Sequence, residues 1–211
     1  LATTMAGALY MLISPVTQAL YPRMVEYVVN KKYNELIAIF HLGSQLVSAI
    51  TIPIVLLIFF YSEEIIYLWT GDLMLSMQVA PILSIYIIGS FLNGLMNMPH
   101  HLQLSHGWTS LTVVINLISL VVLIPALIYA IPIYGLIAAP WIWLTLNAMY
   151  VLIGVGFMFK KLIPDQKWIW YKEDIIQPLS GSVLICILVD LSVGASSSSG
   201  YYLLLLLLLL L

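Results

Sequence analysis

The sequence predicts an all-α fold, a polytopic membrane bundle of about six to seven transmembrane helices. Of its 211 residues, 63% are hydrophobic and 8% are charged, whereas a soluble domain typically carries about a quarter charged residues. The mean hydropathy is +1.08. Apolar runs of about 20 residues, the length that crosses a bilayer as a helix, alternate with short polar links. A large soluble core is excluded because too few polar residues exist to cover its surface.

The first predicted span covers residues 3–20 and carries a polar stripe. Its polar residues recur at steps of three and four: Gly7, Tyr10, Ser14, Thr17 and Tyr21, with Gln18 beside them. This spacing places them on one helical face. We expect Pro15 to bend the helix and Pro22 to end it, because the residue before a proline disfavours the helical region.

The second predicted span, residues 36–61, comes after a basic link. That link, residues 21–35, holds Arg23, Lys31 and Lys32. The polar residues of the second span cluster on one side of its first half: His41, Ser44, Gln45, Ser48 and Thr51. After it, residues 62–77 hold three acids and no basic residue, and the segment around Tyr67 and Trp69 is typical of a short interfacial helix.

Spans three, four and five, residues 78–98, 108–130 and 136–159, contain no charge and share polar positions at helical spacing. These positions are Gly89, Asn93 and Asn97 in the third span, Thr112, Asn116 and Ser119 in the fourth, and Thr145 and Asn147 in the fifth. One interpretation is interhelical hydrogen bonding, with small residues that let helices approach. The other is a wall of donors and acceptors facing a water-filled cavity that suits a sugar.

The last third of the chain begins with a second basic link, residues 160–174, and continues into span six, residues 175–193. The run of nine leucines at 203–211 is a candidate seventh span, but it is of low complexity and carries no functional inference. Asp190 is an acid inside span six, and a paired or snorkelled acid and a proton site both remain open. Cys186 is interpreted as a small apolar helix residue.

All seven Lys and Arg residues fall on the first and fifth links. Basic residues concentrate on cytoplasmic links. We therefore expect odd-numbered links to be cytoplasmic and Leu1 to begin on the outer side. The chain does not begin with Met, and we expect it to be a fragment that lacks an N-terminal part.

The sequence predicts no catalytic site, no metal and no cofactor. His100, His101 and His106 share one link, but no carboxylate or thiol stands near them to complete a zinc site. No Ser-His-Asp set or glycine-rich phosphate loop is present, and nothing indicates nucleic-acid binding.

The ordered set of short motifs resembles oligosaccharide flippases of the Wzx type, in the multidrug/oligosaccharidyl-lipid/polysaccharide exporter superfamily. The matching pieces are Leu20-Tyr-Pro-Arg23, LWTGD at 68–72, the link from Pro99 through Gln103 to Gly107, Asn116, Pro132-Ile-Tyr-Gly135, and Ala138-Ala139, Trp143 and Asn147. The resemblance covers about residues 1–160.

Membership would imply a transporter of two helical lobes that moves an undecaprenyl-diphosphate-linked oligosaccharide to the outer leaflet of the cytoplasmic (inner) membrane. Residues 1–160 would then be helices of the C-terminal lobe, and 161–211 additional helices with the poly-Leu end. The partners implied are the lipid-linked sugar, membrane lipids and polysaccharide-assembly proteins. The substrate-binding residues we expect are Arg23, Gln18, Asn93, Asn97, Asn116 and Asn147.

Two other functions stay open at this point. A cation-coupled drug exporter of the same superfamily would be expected to place acids in its lumen, and the spans offer none except Asp190. An integral-membrane polysaccharide polymerase or acyltransferase would be expected to show a large outer loop or a histidine-acid motif in a helix, and the outer links here are short.

Overall fold

A computed structural model of the chain describes residues 2–193, with side chains through residue 185. Regular structure in this range is helical, which confirms the predicted all-α class. The α-helices are α1 (Ala2–Val29), α2 (Tyr33–Phe60), α3 (Ser62–Thr70), α4 (Leu73–Leu95), α5 (Asn97–Ser105), α6 (Ser110–Tyr134), α7 (Ala138–Met149), α8 (Val155–Leu162), α9 (Lys167–Ile169) and α10 (Gln177–Val193). A 3₁₀ turn, Gly135–Ile137, precedes α7, and π-helical turns at Tyr150–Gly154 and Trp170–Ile176 join α7 to α8 and α9 to α10. The leucine run and the side chains of Cys186 and Asp190 lie outside the described residues.

Three helical stretches of the described range are long and apolar enough to cross a membrane: Tyr33–Phe60, Leu73–Ser105 and Ser110–Leu162. The third stretch is 53 residues long and folds back at Gly135, so it holds the predicted spans four and five. Gly135 has φ 73 and ψ -164, a backbone conformation that is essentially restricted to glycine. The assignment of α1 and of the α9–α10 segment as spans stays a prediction.

The prediction that Pro22 ends the first span is wrong, because α1 continues through Pro22 to Val29. A proline inside a helix removes one backbone hydrogen bond, and helices in membranes tolerate this where neighbours satisfy the carbonyl that is left. The first basic link therefore shrinks to a turn at residues 30–32, where Lys31 has a φ of 55. Arg23 consequently lies on a helix and not on a loop.

The link between spans three and four is also largely helical. Residues 97–105 form α5, which begins after a break at Met96. The chain then reverses at residues 106–109, where Gly107 has a φ of 65. Because α5 is helical, Asn97, His100 and Gln103 project from successive turns of one helix toward the start of α6.

The core is built from α1, α2, α4, α5 and α8, while α6 stands at its edge. Phe40 packs edge-to-face on Phe159 at 5.7 Å between ring centroids, and Phe159 in turn lies 5.7 Å from Trp170. In contrast, α6 has no buried residue. It contacts α7, and one of its long faces stays open in the described part of the chain.

The α4–α7 contact is close because Gly89 lies in it. A Cβ atom at Gly89 would stand 2.7 Å from Cδ1 of Trp143 and 3.1 Å from the backbone N and Cα of Leu144. The ring of Tyr86 stacks on that of Trp143 at 6.0 Å. The absence of a side chain at Gly89 thus sets how near α7 comes to the polar face of α4.

Candidate functional site

A cavity of about 240 Å³ lies between the end of α4, α5, the start of α6 and the π-helical turn after α7. Most of its lining side chains are polar: Asn93, Asn97, His100, Gln103, Thr112, Asn116 and Tyr150, with Met96 and Ile115. No Lys, Arg, Asp or Glu is among these lining residues. Its lining residues come from four separate elements, so the cavity cannot be recognised from any single stretch of the sequence.

The floor of this cavity is fixed by a pair of asparagines on two helices. Asn93 Nδ2 donates to Asn147 Oδ1 at 2.8 Å. Asn147 is buried, and its own Nδ2 donates to the carbonyl of Trp143 one turn earlier on α7. Asn147 therefore holds the side chain of Asn93 in place, but it is not itself among the residues that line the cavity.

The wall facing α6 is fixed by hydrogen bonds between side chains. Thr112 Oγ1 donates to Gln103 Oε1 at 2.9 Å and lies 3.3 Å from His100 Nδ1. On the other side, the Tyr150 hydroxyl lies 2.7 Å from Ser119 Oγ and donates to Asn116 Oδ1 at 3.3 Å. These bonds hold α6 against its neighbours through polar contacts.

Several groups of the lining keep hydrogen-bonding capacity after these contacts. Asn93 and Asn97 use their Nδ2 atoms, the latter on the carbonyl of Gly94, and keep their Oδ1 acceptors. Among the described residues, the Nδ2 of Asn116 and the Nε2 of Gln103 are donors with no partner. A neutral set of both donors and acceptors suits hydroxyl groups, because a hydroxyl both donates and accepts.

An apolar groove of about 420 Å³ adjoins the polar cavity along the seam between α6 and the α7–α8 segment. The two share Ile115 and Tyr150. The rest of the groove is lined by Leu111, Val114, Ile118, Ser119, Val122, Leu146, Met149, Ile153, Gly154 and Phe157. Its two hydroxyls, those of Ser119 and Tyr150, bond to each other, so the groove surface is hydrocarbon.

A smaller cavity of about 120 Å³ lies on the other side of Asn93, between α1, α4 and α7. Gly7 and Tyr10 of the polar stripe line it together with Tyr86, Ser90 and Trp143. Asn93 is thus common to two cavities, one on each side of α4.

The structure brings together four of the six predicted site residues and leaves two apart. Asn93, Asn97 and Asn116 line the polar cavity, and Asn147 supports it. Gln18 lies on the exposed side of α1 and donates to Ser14 Oγ at 2.6 Å. Arg23 is exposed further along α1. Neither Gln18 nor Arg23 is part of the cavity lining.

Two of the three histidines in and just after α5 contact backbone carbonyls of that helix. His101 Nδ1 lies 2.8 Å from the Asn97 carbonyl, and His106 Nδ1 lies 2.9 Å from the Leu102 carbonyl. Of the three, His100 alone lines the polar cavity. Its role there is that of a hydrogen-bonding wall residue.

A second polar cluster, which sequence reasoning missed, joins α2 to residues 166–174. Asp174 is fully buried, with Oδ2 at 2.6 Å from His41 Nδ1 and Oδ1 accepting from Gln45 Nε2 at 2.9 Å. His41 Nε2 lies 3.0 Å from Gln166 Oε1. Trp170 Nε1 donates to Ser44 Oγ. The sequence did show the polar face of α2, and its partner is an acid 133 positions further along the chain.

The sequence profile of the MatE family matches residues 1–129, that is α1 to α5 and most of α6. This family consists of transporters in the multidrug/oligosaccharidyl-lipid/polysaccharide exporter superfamily. No curated protein and no solved structure matches the chain. Asn93, Asn97 and Asn116 lie inside the matched range, and Asn147 and Asp174 lie beyond it.

Proposed function

The chain belongs to the MatE family of membrane exporters, and from this premise we propose that it is part of a flippase for a lipid-linked oligosaccharide. The substrate we propose is a sugar chain on a polyprenyl diphosphate, of the undecaprenyl type, moved from the cytoplasmic to the outer leaflet. The membrane would be the inner (cytoplasmic) membrane, and polysaccharide-assembly proteins would be the partners that deliver and collect the substrate.

The observation that carries the proposal is the neutral polar cavity. Its lining keeps donors on Asn116 and Gln103 and acceptors on Asn93 and Asn97. Polar groups that face away from water within a membrane are costly unless something hydrogen-bonds to them. A sugar supplies hydroxyls that satisfy both kinds of group, whereas an apolar cationic drug would leave the donors unpaired.

The adjoining groove supports a substrate that also has a lipid part. A lipid-linked sugar needs a polar compartment and a hydrocarbon compartment in contact, and here they meet at Ile115 and Tyr150. About 420 Å³ of the second compartment is lined by apolar side chains.

The alternative is a cation-coupled drug exporter of the same superfamily. Such a protein would use an acid to compensate a cationic substrate, and no acid lies in the lining of the polar cavity. The buried acid of the described range, Asp174, lies at the α2 contact and already bonds to His41 and Gln45. A membrane enzyme is disfavoured because the family consists of transporters.

The test uses the full-length transporter in a strain that lacks its own copy. We expect the double variant Asn97→Ala with Asn116→Ala to reduce surface polysaccharide at least about tenfold, since each lost hydrogen bond is worth about 1 kcal/mol, and lipid-linked repeat units should accumulate inside. Leu117→Ala is the matched control, because Leu117 neighbours Asn116 and points away from the cavity lining.

Two results would contradict the proposal. Unchanged surface polysaccharide in the double variant, at matched protein levels, would remove this cavity from the transport path. Loss of resistance to cationic drugs upon deletion of the whole protein, with polysaccharide intact, would instead establish the drug exporter.

A further inference from the structure

The cluster around Asp174 holds a buried carboxylate, and no other Asp, Glu, Lys or Arg of the described residues is buried. Asp174 is 0% exposed and belongs to the π-helical turn Trp170–Ile176. Such turns occur frequently at functional sites. Both carboxylate oxygens are used, one on His41 and one on Gln45, and no Lys or Arg of the described residues forms an ion pair with it. Among the described residues, His41 is therefore the group in position to supply a counter-charge for Asp174.

The contacts of the imidazole ring indicate its protonation state. Nδ1 of His41 faces a carboxylate oxygen at 2.6 Å, and Nε2 faces the amide oxygen of Gln166 at 3.0 Å. Both ring nitrogens therefore face acceptors, and an imidazolium, which has a hydrogen on each nitrogen, satisfies both. A neutral ring beside an ionised Asp174 would leave one nitrogen facing an oxygen without a hydrogen, unless the Gln166 amide turned round.

The other charged groups near the ring do not replace this proton. Glu173, next to Asp174, adds a further negative field at His41. Lys167 is directed toward Trp168 and Tyr171, with its Nζ 5.5 Å and 5.9 Å from their ring centroids. From α1, α3, α4, α5 and α10, which also pack on α2, no titratable side chain of the described range bonds to the pair.

We propose that His41 and Asp174 form a proton-binding site that fastens the segment of residues 166–176 to α2. With the proton bound, the pair is neutral as a whole and Gln166 is tied to the ring. When the proton leaves Nε2, the buried carboxylate loses its counter-charge and Gln166 loses its donor. Since a buried acid without a counter-charge is costly, release of the proton and separation of this segment from α2 favour each other.

The direction of the pH dependence is set by the number of bound protons. The attached state holds one proton more than the separated state, so lower pH favours attachment and higher pH favours separation. The pair joins α2, inside the family-matched range, to a segment beyond that range. Its action is independent of the identity of the transported substrate.

The first test measures the proton itself in the full-length transporter, with ¹⁵N-labelled histidine, by magnetic resonance of membrane samples at pH 7.5. We expect the signal of His41, identified by its disappearance in His41→Gln, to show two protonated ring nitrogens. A neutral imidazole signal for His41 at this pH would overturn the proposal.

The second test measures attachment as a distance between spin labels on the exposed positions Leu42 and Lys172, with Cys186 replaced by serine. We expect the fraction of long distances to rise about fivefold or more between pH 6 and pH 9, as for a single titrating group. In Asp174→Asn, an uncharged amide of the same shape, this dependence should disappear. If that variant does not fold, His41→Gln serves the same purpose.

The control is His101→Gln, because His101 bonds to its own helix backbone and lies in α5. It should retain the pH dependence of the original protein. Distances that do not change with pH in the unmodified protein, or that change equally in Asp174→Asn, would show that the pair is a fixed structural contact.

Discussion

Neighbouring side chains on the polar face of α4 and α5 make different hydrogen bonds. Asn93 and Asn97 lie four residues apart, yet Asn93 bonds across to α7 and Asn97 bonds back to the Gly94 carbonyl near the end of α4. Interhelical hydrogen bonding and a cavity wall were alternative interpretations of the same pattern. The two do not exclude each other, because Asn93 donates across the helix contact and also lies in the lining of the polar cavity.

Removal of Asn147 should loosen this contact. In Asn147→Ala the Nδ2 of Asn93 loses its acceptor, and we expect the free energy of unfolding in detergent to fall by about 1 kcal/mol. Thr145→Ala is the control, because Thr145 is exposed and bonds to the Trp141 carbonyl of its own helix. Equal thermal denaturation of the two variants would argue that the Asn93–Asn147 bond adds nothing to stability.

Substitution of Arg23 by lysine distinguishes two roles of this residue, substrate binding and membrane orientation. A guanidinium binds diphosphate oxygens in a bidentate way that an ammonium does not reproduce, whereas membrane orientation requires only positive charge. If Arg23 contacts the substrate, Arg23→Lys should insert normally but lower surface polysaccharide and accumulate lipid-linked repeat units. Normal polysaccharide in that variant would assign Arg23 to orientation, in agreement with its exposed position away from the cavity.

At the scale of elements, the distance between two packed helices depends on whether a glycine lies in their contact. Gly89 and Gly7 are both glycines on helices, but a Cβ at Gly89 would meet α7, while nothing lies within 4 Å of a Cβ at Gly7. The seam between α4 and α7 is therefore tight at one defined level, and the polar cavity lies next to it.

Substitution of these two glycines should have opposite effects. Gly89→Ala forces α7 away and should destabilise the protein by about 1–3 kcal/mol. Gly7→Ala adds no contact and should be neutral or stabilising by up to about 1 kcal/mol, since alanine favours the helix. Melting temperatures of the two variants in detergent measure both changes in stability. A stable Gly89→Ala protein with an intact cavity would mean that α4 and α7 slide past each other easily.

The elements were predictable from sequence to the extent that they depend on local pattern. The apolar runs located α2, α4, α6 and α7, whereas α6 continues through Pro132 to Tyr134 and the chain turns at Gly135. The prediction at Pro22 was wrong, because whether a proline ends a helix depends on whether neighbouring groups satisfy the carbonyl that loses its hydrogen bond. The Asp174 contact was missed for a similar reason, since it joins residues 133 positions apart and the acid stands among lysines in the sequence.

At the scale of the whole molecule, the hairpin of α6 and α7 joins a helix at the edge of the bundle to a helix that packs on α4. α6 has no buried residue and meets its neighbours through a few polar side chains, while α7 packs closely on α4 at Gly89 and is hydrogen-bonded to it through Asn147. The polar cavity lies where α6 meets the remainder, so a movement of α6 would change both the cavity and the groove beside it. The division of the chain into residues 1–160 and 161–211 stays a prediction.

Orientation in the membrane is testable on exposed positions. Because the basic residues fall on alternate links of the predicted topology, cysteines at Glu64 and Tyr134 should react with an impermeant thiol reagent in intact cells. Cysteines at Lys31 and Asp165 should react only after the membrane is opened. All four positions are exposed. Reaction of both pairs in intact cells would refute the assigned orientation.

The π-helical turn at Tyr150–Gly154 has a consequence for changes in chain length. Such a turn holds one residue more than an α-helical path between the same ends, so it is a point where a codon can be lost without rotating α8. Deletion of Leu152, which is 64% exposed, should leave α7 and α8 with their buried faces inward and yield a folded protein. Deletion of Phe91 within α4 should rotate the rest of that helix by about 100° and abolish expression. Immunoblots of membrane fractions would compare the two, and equal loss would show that α8 depends on the extra residue for its place.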